Sequence, residues 1–98
     1  MRKDLCHLSV QNPPEFLFVA VNAELSDKVF ERGLKRRKMP FIEMYETEHE
    51  ARKAIRNGQP SMFTILARVM AEDGYRFCVS ETGEWLTDEI PARYLRLC

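Results

Sequence analysis

The sequence predicts an α+β fold, with two short helices early in the chain and a mostly antiparallel sheet completed by the tail. Stretches patterned for strand and for helix run in the order strand, helix, strand, helix and then several strands. Each helical stretch carries its own start signal and ends at a glycine, Gly33 or Gly58. The last third holds a hairpin signal, Ser80-Glu81-Thr82-Gly83, between apolar runs. With 98 residues, 45% hydrophobic and 31% charged, the chain has room for one domain over 1–98. A chain of this size buries roughly two-thirds of the surface its unfolded form exposes.

Residues 1–14 end in Asn12-Pro13-Pro14, whose prolines deny helix and central strand alike, so an extended arm leads into the fold. Glu15 to Val21 is rich in aromatic and branched residues and short enough for a buried strand. Asn22 offers a capping oxygen to a helix over Ala23 to Arg32, with Leu25, Val29 and Phe30 on one apolar face and Gly33 as a left-handed stop. Pro40 resets the backbone, and Phe41 to Tyr45 alternates like a half-buried strand. Thr47-x-x-Glu50 is a capping box that opens a second short helix, with Ala51, Ala54 and Ile55 inward before Asn57-Gly58.

Ser61 to Met70 reads as one long strand with both faces largely covered. Asp73-Gly74 turns it. Tyr75 to Val79 and Glu84 to Thr87 then form a hairpin, and Pro91 to Leu97 makes a final extended or edge segment.

Fifteen basic and fifteen acidic residues cancel, which removes the global pull of a basic domain on nucleic acid. Any anion site is local, and Lys35-Arg36-Arg37-Lys38 is the candidate, followed by the acidic residues Glu43, Glu46, Glu48 and Glu50. Such a run is more often a solvated loop. The longest apolar run, Phe16 to Val21, is far short of the roughly twenty residues that cross a bilayer, so no membrane partner is expected. Cys6, Cys78 and Cys98 have no C-x-x-C spacing, and His7 and His49 stand at no ligand interval. Reduced thiols in a cytoplasmic setting follow, and no metal site is assigned.

The tail from Gly74 to Tyr94 resembles the C-terminal signature of the RNA 2′-phosphotransferases, G-x-x-F-x-x-S-x-N-G-V-W-L-T-x-x-V-P-x-x-Y. It matches at Gly74, Phe77, Ser80, Gly83, Trp85-Leu86-Thr87, Pro91 and Tyr94. Leu17-Phe18-Val19-Ala20-Val21 falls where that family carries L-Y-H-G-T, and Ile42-Glu43-Met44-Tyr45 where it carries V-H-L-S. The resemblance covers about residues 15 to 95. It implies an ADP-ribosyltransferase-like fold, a split and mostly antiparallel sheet that cradles NAD. It also implies a chemistry in which an RNA 2′-phosphate attacks the nicotinamide ribose. Members of the family carry an N-terminal winged-helix lobe that supplies an Arg-His pair to the phosphate. Fourteen residues before the first strand leave no room for one, so that half of the site is expected to be missing.

The departures define the candidate site. Val19 has no polar atom where the family has histidine, Ala20 adds a methyl group to the wall, and Glu43 replaces the second histidine. Glu84 replaces the valine of N-G-V-W, on the strand where wider ADP-ribosyltransferase relatives place a catalytic glutamate. The resemblance thus implies Glu84, with Glu43 facing the same cleft, as catalytic carboxylates. It implies Arg36, Arg37, Ser80 and Trp85 as cofactor-binding residues. Each has a plainer counterpart: Glu84 in water, Ser80 bonded to its own turn, Trp85 as a core anchor, the arginines in a solvated loop. Cys78 is expected to be inert packing.

Three functions follow. The first is a divergent domain, inactive as a 2′-phosphotransferase, that keeps an NAD or phosphate pocket. The second is an active ADP-ribosyl-transferring or NAD-cleaving enzyme that uses Glu84. The third is a non-catalytic interaction module. The corresponding partners are NAD or ADP-ribose, phosphorylated RNA, or a protein.

Overall fold

The computed structural model describes residues 10–35, 41–55 and 58–97. Arg36 and Arg37 of the basic run, together with Cys6, His7 and Cys98, lie outside the described residues. The arm reaches the fold as extended chain: Val10 bridges Cys78, and the Gln11 amide donates to the Phe77 carbonyl at 2.8 Å.

Strand β1 (Leu17–Asn22) alternates Leu17 and Val19 into the core. A 3-10 turn (Ala23–Leu25) then leads into α1 (Ser26–Arg32). The Asn22 side chain makes no capping bond. The Ala23 amide instead donates to the Gln59 carbonyl at 2.8 Å, so a neighbouring segment does the work assigned to Asn22. Only Val29 of the expected apolar face is buried; Leu25 and Phe30 are exposed. The 3-10 start explains Leu25, because three residues per turn instead of 3.6 rotate it off the stripe that Val29 occupies. Gly33 ends α1 at φ +78° and opens β2 (Leu34–Lys35).

Strand β3 (Ile42–Met44) alternates as expected, with Met44 buried and Glu43 exposed. Helix α2 (Glu48–Lys53) starts on its capping box: the Thr47 hydroxyl accepts the Glu50 amide at 3.1 Å.

The stretch read as one long strand is two elements. Strand β4 (Pro60–Ile65) ends at Leu66, and α3 (Ala67–Glu72) follows, so the fold has a third short helix. In a run this apolar, period 2 and period 3.6 look alike. The buried pair Ala67 and Met70 is the i, i+3 spacing of a helix, and Val69, placed inside by the strand reading, is exposed. Asp73-Gly74 accordingly closes a helix and does not turn a strand. Gly74 sits at φ +105°, its amide donates to Ala71, and the Tyr75 amide reaches back to Met70, the paired bonds of a Schellman end.

The hairpin forms, but with shorter strands than Tyr75 to Val79 and Glu84 to Thr87: β5 is Cys78–Val79 and β6 is Trp85–Thr87. Strand β7 (Glu89–Ile90), a 3-10 turn (Ala92–Tyr94) and β8 (Leu95–Leu97) complete the chain.

Among the described residues every strand pairing is antiparallel, and the sheet is split. One half has the order β1-β4-β8, with β8 at its edge; the other has the order β3-β6-β5; β2 pairs separately with β7. A bridge joins the halves, where the amides of Phe18 and Tyr45 each donate to the other's carbonyl at 2.8 and 2.9 Å. Leu17, Val19, Phe63, Ile65, Met44, Trp85, Met70, Phe77 and Ile90 form one core beneath both halves. Helix α1 packs near β8 and the 3-10 turn before it, and α2 packs against β1 and β4.

Two residues of the tail signature prove to be structural. The Tyr94 hydroxyl donates to Asp73 Oδ2 at 2.5 Å, tying the final 3-10 turn to the end of α3. Thr87, almost wholly buried, donates its hydroxyl to the Arg76 carbonyl at 3.0 Å. Thr87→Val keeps the shape and deletes the donor. It is expected to lower stability by about 1–2 kcal/mol, the usual loss for a buried hydrogen bond whose acceptor stays behind. Urea unfolding of the two proteins measures it.

Candidate functional site

The seam between the half-sheets carries the site, because pairing register decides what lies there. In the β3–β6 ladder Glu43 faces Leu86 and Met44 faces Trp85. One step further, Tyr45 comes opposite Glu84. Successive residues of a strand point to opposite faces, so Met44 and Trp85 enter the core while Glu43, Tyr45 and Glu84 share the other face.

An open cleft of about 400 Å³ lies on that face. Its walls are Tyr45 and Glu46 just after β3, Glu50 and Lys53 of α2, and Thr82, Gly83 and Glu84 of the β5–β6 turn. Glu50 and Lys53 stand three residues apart, the spacing that puts two side chains on one side of a helix. Three carboxylates face one ammonium, so the cleft favours cations over anions.

Each wall is held by identifiable bonds. The Tyr45 hydroxyl donates to Glu43 Oε1 at 3.3 Å. Burial, together with the negative charges of Glu43, Glu84 and Glu50, pushes the Tyr45 phenol up to about 12. It therefore stays protonated, and a donor, throughout the physiological range. The Trp85 indole N–H donates to Glu46 Oε2 at 2.8 Å. The Ser80 hydroxyl donates to Glu84 Oε1 at 2.8 Å, and the Thr82 hydroxyl donates to the same oxygen. Those bonds, Thr82 first, hold the Glu84 carboxyl below the usual carboxylate range.

The sequence-predicted residues fall into three groups. Glu84 lines the cleft, whereas Ser80 and Glu43 stand behind its lining, Ser80 bonded to Glu84 and Glu43 to the Tyr45 hydroxyl. Trp85 and Val19 sit in the core, each 7% exposed, with Trp85 reaching the cleft only through its indole N–H. Arg36 and Arg37 lie outside the described residues. Cys78 is fully buried, and burial pushes its thiol up, the inert behaviour expected of it.

The cleft also takes in Tyr45, Glu46, Glu50, Lys53 and Thr82, which the sequence does not assign to the site. Alternation carries a signal for Tyr45, two residues after Glu43 and so on its face. Thr82 lies inside the hairpin turn. Glu46 and Glu50 stand in the acidic run, and Glu50 in the capping box, but only the packing of α2 on β1 brings Glu50 and Lys53 to the seam. Among the described residues, no group of three His, Cys, Asp or Glu side chains is placed to hold a metal ion, and no helix is long and apolar enough to cross a membrane.

No protein-family model matches the chain. Individual curated proteins do. A probable RNA 2′-phosphotransferase of Streptomyces coelicolor is 32% identical over 90 residues, and one of Flavobacterium johnsoniae 29% identical over 90, in both cases 91% of this chain and 50% of the relative. One from Escherichia coli is 30% identical over 86 residues, 87% of this chain and 47% of its own length. The chain thus spans about half the length of the curated relatives it matches.

Proposed function

We propose, from the premise that this chain is a divergent sequence relative of the RNA 2′-phosphotransferases, that it has lost the 2′-phosphate transfer and keeps a pocket for the nicotinamide-ribose half of NAD. The observation that carries this reading is Glu84, an ionised carboxylate held by two hydroxyls in the cleft beside Tyr45.

The residues present fit one end of the dinucleotide. Its nicotinamide is cationic and flat, and a carboxylate and a phenol ring suit such a group. Its diphosphate is dianionic, and Glu46 and Glu50 would repel it, with Lys53 the lining cation. Under this proposal Arg36 and Arg37 receive the diphosphate. Loss of 2′-phosphate transfer is supported by Val19, whose apolar side chain is buried where the resembled motif has histidine, and by Glu43, an anion where the second histidine stands. An anion at that place repels an incoming phosphate.

A second reading, cleavage of NAD, is favoured by the same carboxylate. Bound NAD would supply a glycosidic bond whose breakage builds positive charge on the ribose and releases neutral nicotinamide, while a water oxygen bonds the ribose carbon and gives up a proton to yield ADP-ribose. Glu84 stands to oppose that charge and to accept a hydrogen bond from a ribose hydroxyl.

Thermal unfolding with NAD, ADP-ribose or a 2′-phosphorylated dinucleotide, combined with chromatographic assay of nicotinamide release, separates the readings. NAD is expected to raise the Tm of the wild type, since a ligand bound only by the folded form stabilises it. Glu84→Gln is expected to abolish most of that rise. Nicotinamide release that disappears in Glu84→Gln establishes the second reading. Phosphate transfer from the RNA overturns the first, and no Tm response to NAD or ADP-ribose removes the dinucleotide pocket and leaves an interaction module.

A further inference from the structure

Glu84 is gripped by its own turn. The Ser80 hydroxyl donates to Glu84 Oε1 at 2.8 Å and accepts the Glu84 amide at 3.1 Å, while Thr82 donates its hydroxyl to the same Oε1. A hydroxyl has one proton to give, so that of Ser80 is committed to the carboxylate. The backbone sets the geometry: the Ser80 amide donates to the Glu84 carbonyl at 2.8 Å, and the Gly83 amide to the Ser80 carbonyl at 3.0 Å. Gly83 takes φ +96°, which brings the chain back so that residues 80, 82 and 84 face one another.

We infer that Ser80 and Thr82 are positioning residues that clamp Glu84 through Oε1 and leave Oε2 as the acceptor offered to a ligand in the cleft. The inference rests on Glu84 as the ligand-facing group of the proposed pocket, and it assigns the Ser80 hydroxyl to Glu84 instead of to a phosphate or ribose.

The electrostatic setting gives the clamp a purpose. The charged or titratable groups around the turn are Tyr45 and Glu43 from the β3 side, Glu46 after β3, and Glu50 and Lys53 from α2. The Thr82 and Ser80 hydroxyls, donors to the charged form, lower the Glu84 pKa and outweigh the burial that raises it. A depressed carboxyl is charged above its folded value and neutralised as the pH falls through it, so ligand binding that needs the charge fails on the acid side.

Carbon-13 titration of the Glu84 carboxyl in the full chain tests the clamp directly. The wild type is expected to titrate below the ordinary glutamate range. Thr82→Val should rise part of the way, Ser80→Ala/Thr82→Val should return to or above that range, and Thr82→Ser should match the wild type because it keeps the hydroxyl. A folded double variant that titrates like the wild type overturns the inference. If the double variant does not fold, Thr82→Val decides alone, because the exposed Thr82 makes none of the backbone bonds that close the turn. In parallel, the acid limb of any NAD-induced Tm shift should move upward with the carboxyl. A carboxyl that responds as expected in a protein indifferent to NAD keeps the clamp and removes the dinucleotide reading.

Discussion

Gly33→Ala is expected to lower stability by about 2–4 kcal/mol, far more than alanine at the other turn glycines of this chain. Gly33 lies at φ +78° and ψ −171°, a backbone region essentially confined to glycine. A side chain there would also have no space. A β-carbon would come within 2.3 Å of the Ile90 carbonyl oxygen and 2.7 Å of the Ala92 nitrogen, both backbone atoms that a rotamer change does not move. The close approach arises because Leu34 pairs with Ile90, which pulls the end of α1 down onto the entry to the final 3-10 turn. Relief would require separating β2 from β7. Gly83 is the control, since its added β-carbon meets nothing within 4 Å and only the positive φ, +96°, resists it. Alanine there is expected to cost about 1 kcal/mol. Equal urea midpoints for the two variants would contradict the close approach.

Phe63→Ala should cost about 3–5 kcal/mol, the range for removing a buried ring from a packed core. Phe63 is wholly buried on β4, the central strand of its half-sheet, between Val19 of β1 and Leu97 of β8. Its loss leaves a cavity under both neighbours. Phe30, whose ring centre is 6.5 Å from that of Phe63, is 57% exposed, so Phe30→Ala should cost well under half as much. The consequence extends to the site. The Phe18–Tyr45 bridge carries backbone hydrogen bonds from β1 to the residue after β3, so loosening β1 should speed hydrogen exchange at the Tyr45 amide before that of the hairpin amides. Exchange that accelerates equally at Tyr45 and at Trp85 would mean that the half-sheets open together.

The acidic cleft bears on how a phosphotransferase relative could diverge. Val19 turns a motif position into core, while Glu43 and Glu84 add two negative charges on one sheet face. Charge of that sign disfavours a phosphate and favours a cation at the same place. Function is therefore argued from the side chains and not from the fold.

Local chemistry was readable in the residues alone. The Thr47 box, the Gly33 stop and the Ser80-to-Gly83 turn each depend on a few neighbouring residues, and each formed as expected. Glu84 is legible as a candidate because the matched tail is contiguous. The misreadings have separate causes. Asn22 lost its capping role to a carbonyl 37 positions away, at Gln59, and Ser61 to Met70 divided because its apolar residues satisfied two periods at once.

What the sequence by itself determined was the set of short-range devices: which residues turn, cap and alternate, and that a carboxylate closes the hairpin turn just before its second strand. Only the tertiary structure decided that Tyr45 lies across from Glu84, that α2 brings Glu50 and Lys53 to the same opening, and that Trp85 points into the core. The reason is physical. Turns and caps are selected by the energies of adjacent residues, whereas strand pairing is selected by which long-range register buries the most apolar surface, a property of the whole chain that no local segment encodes.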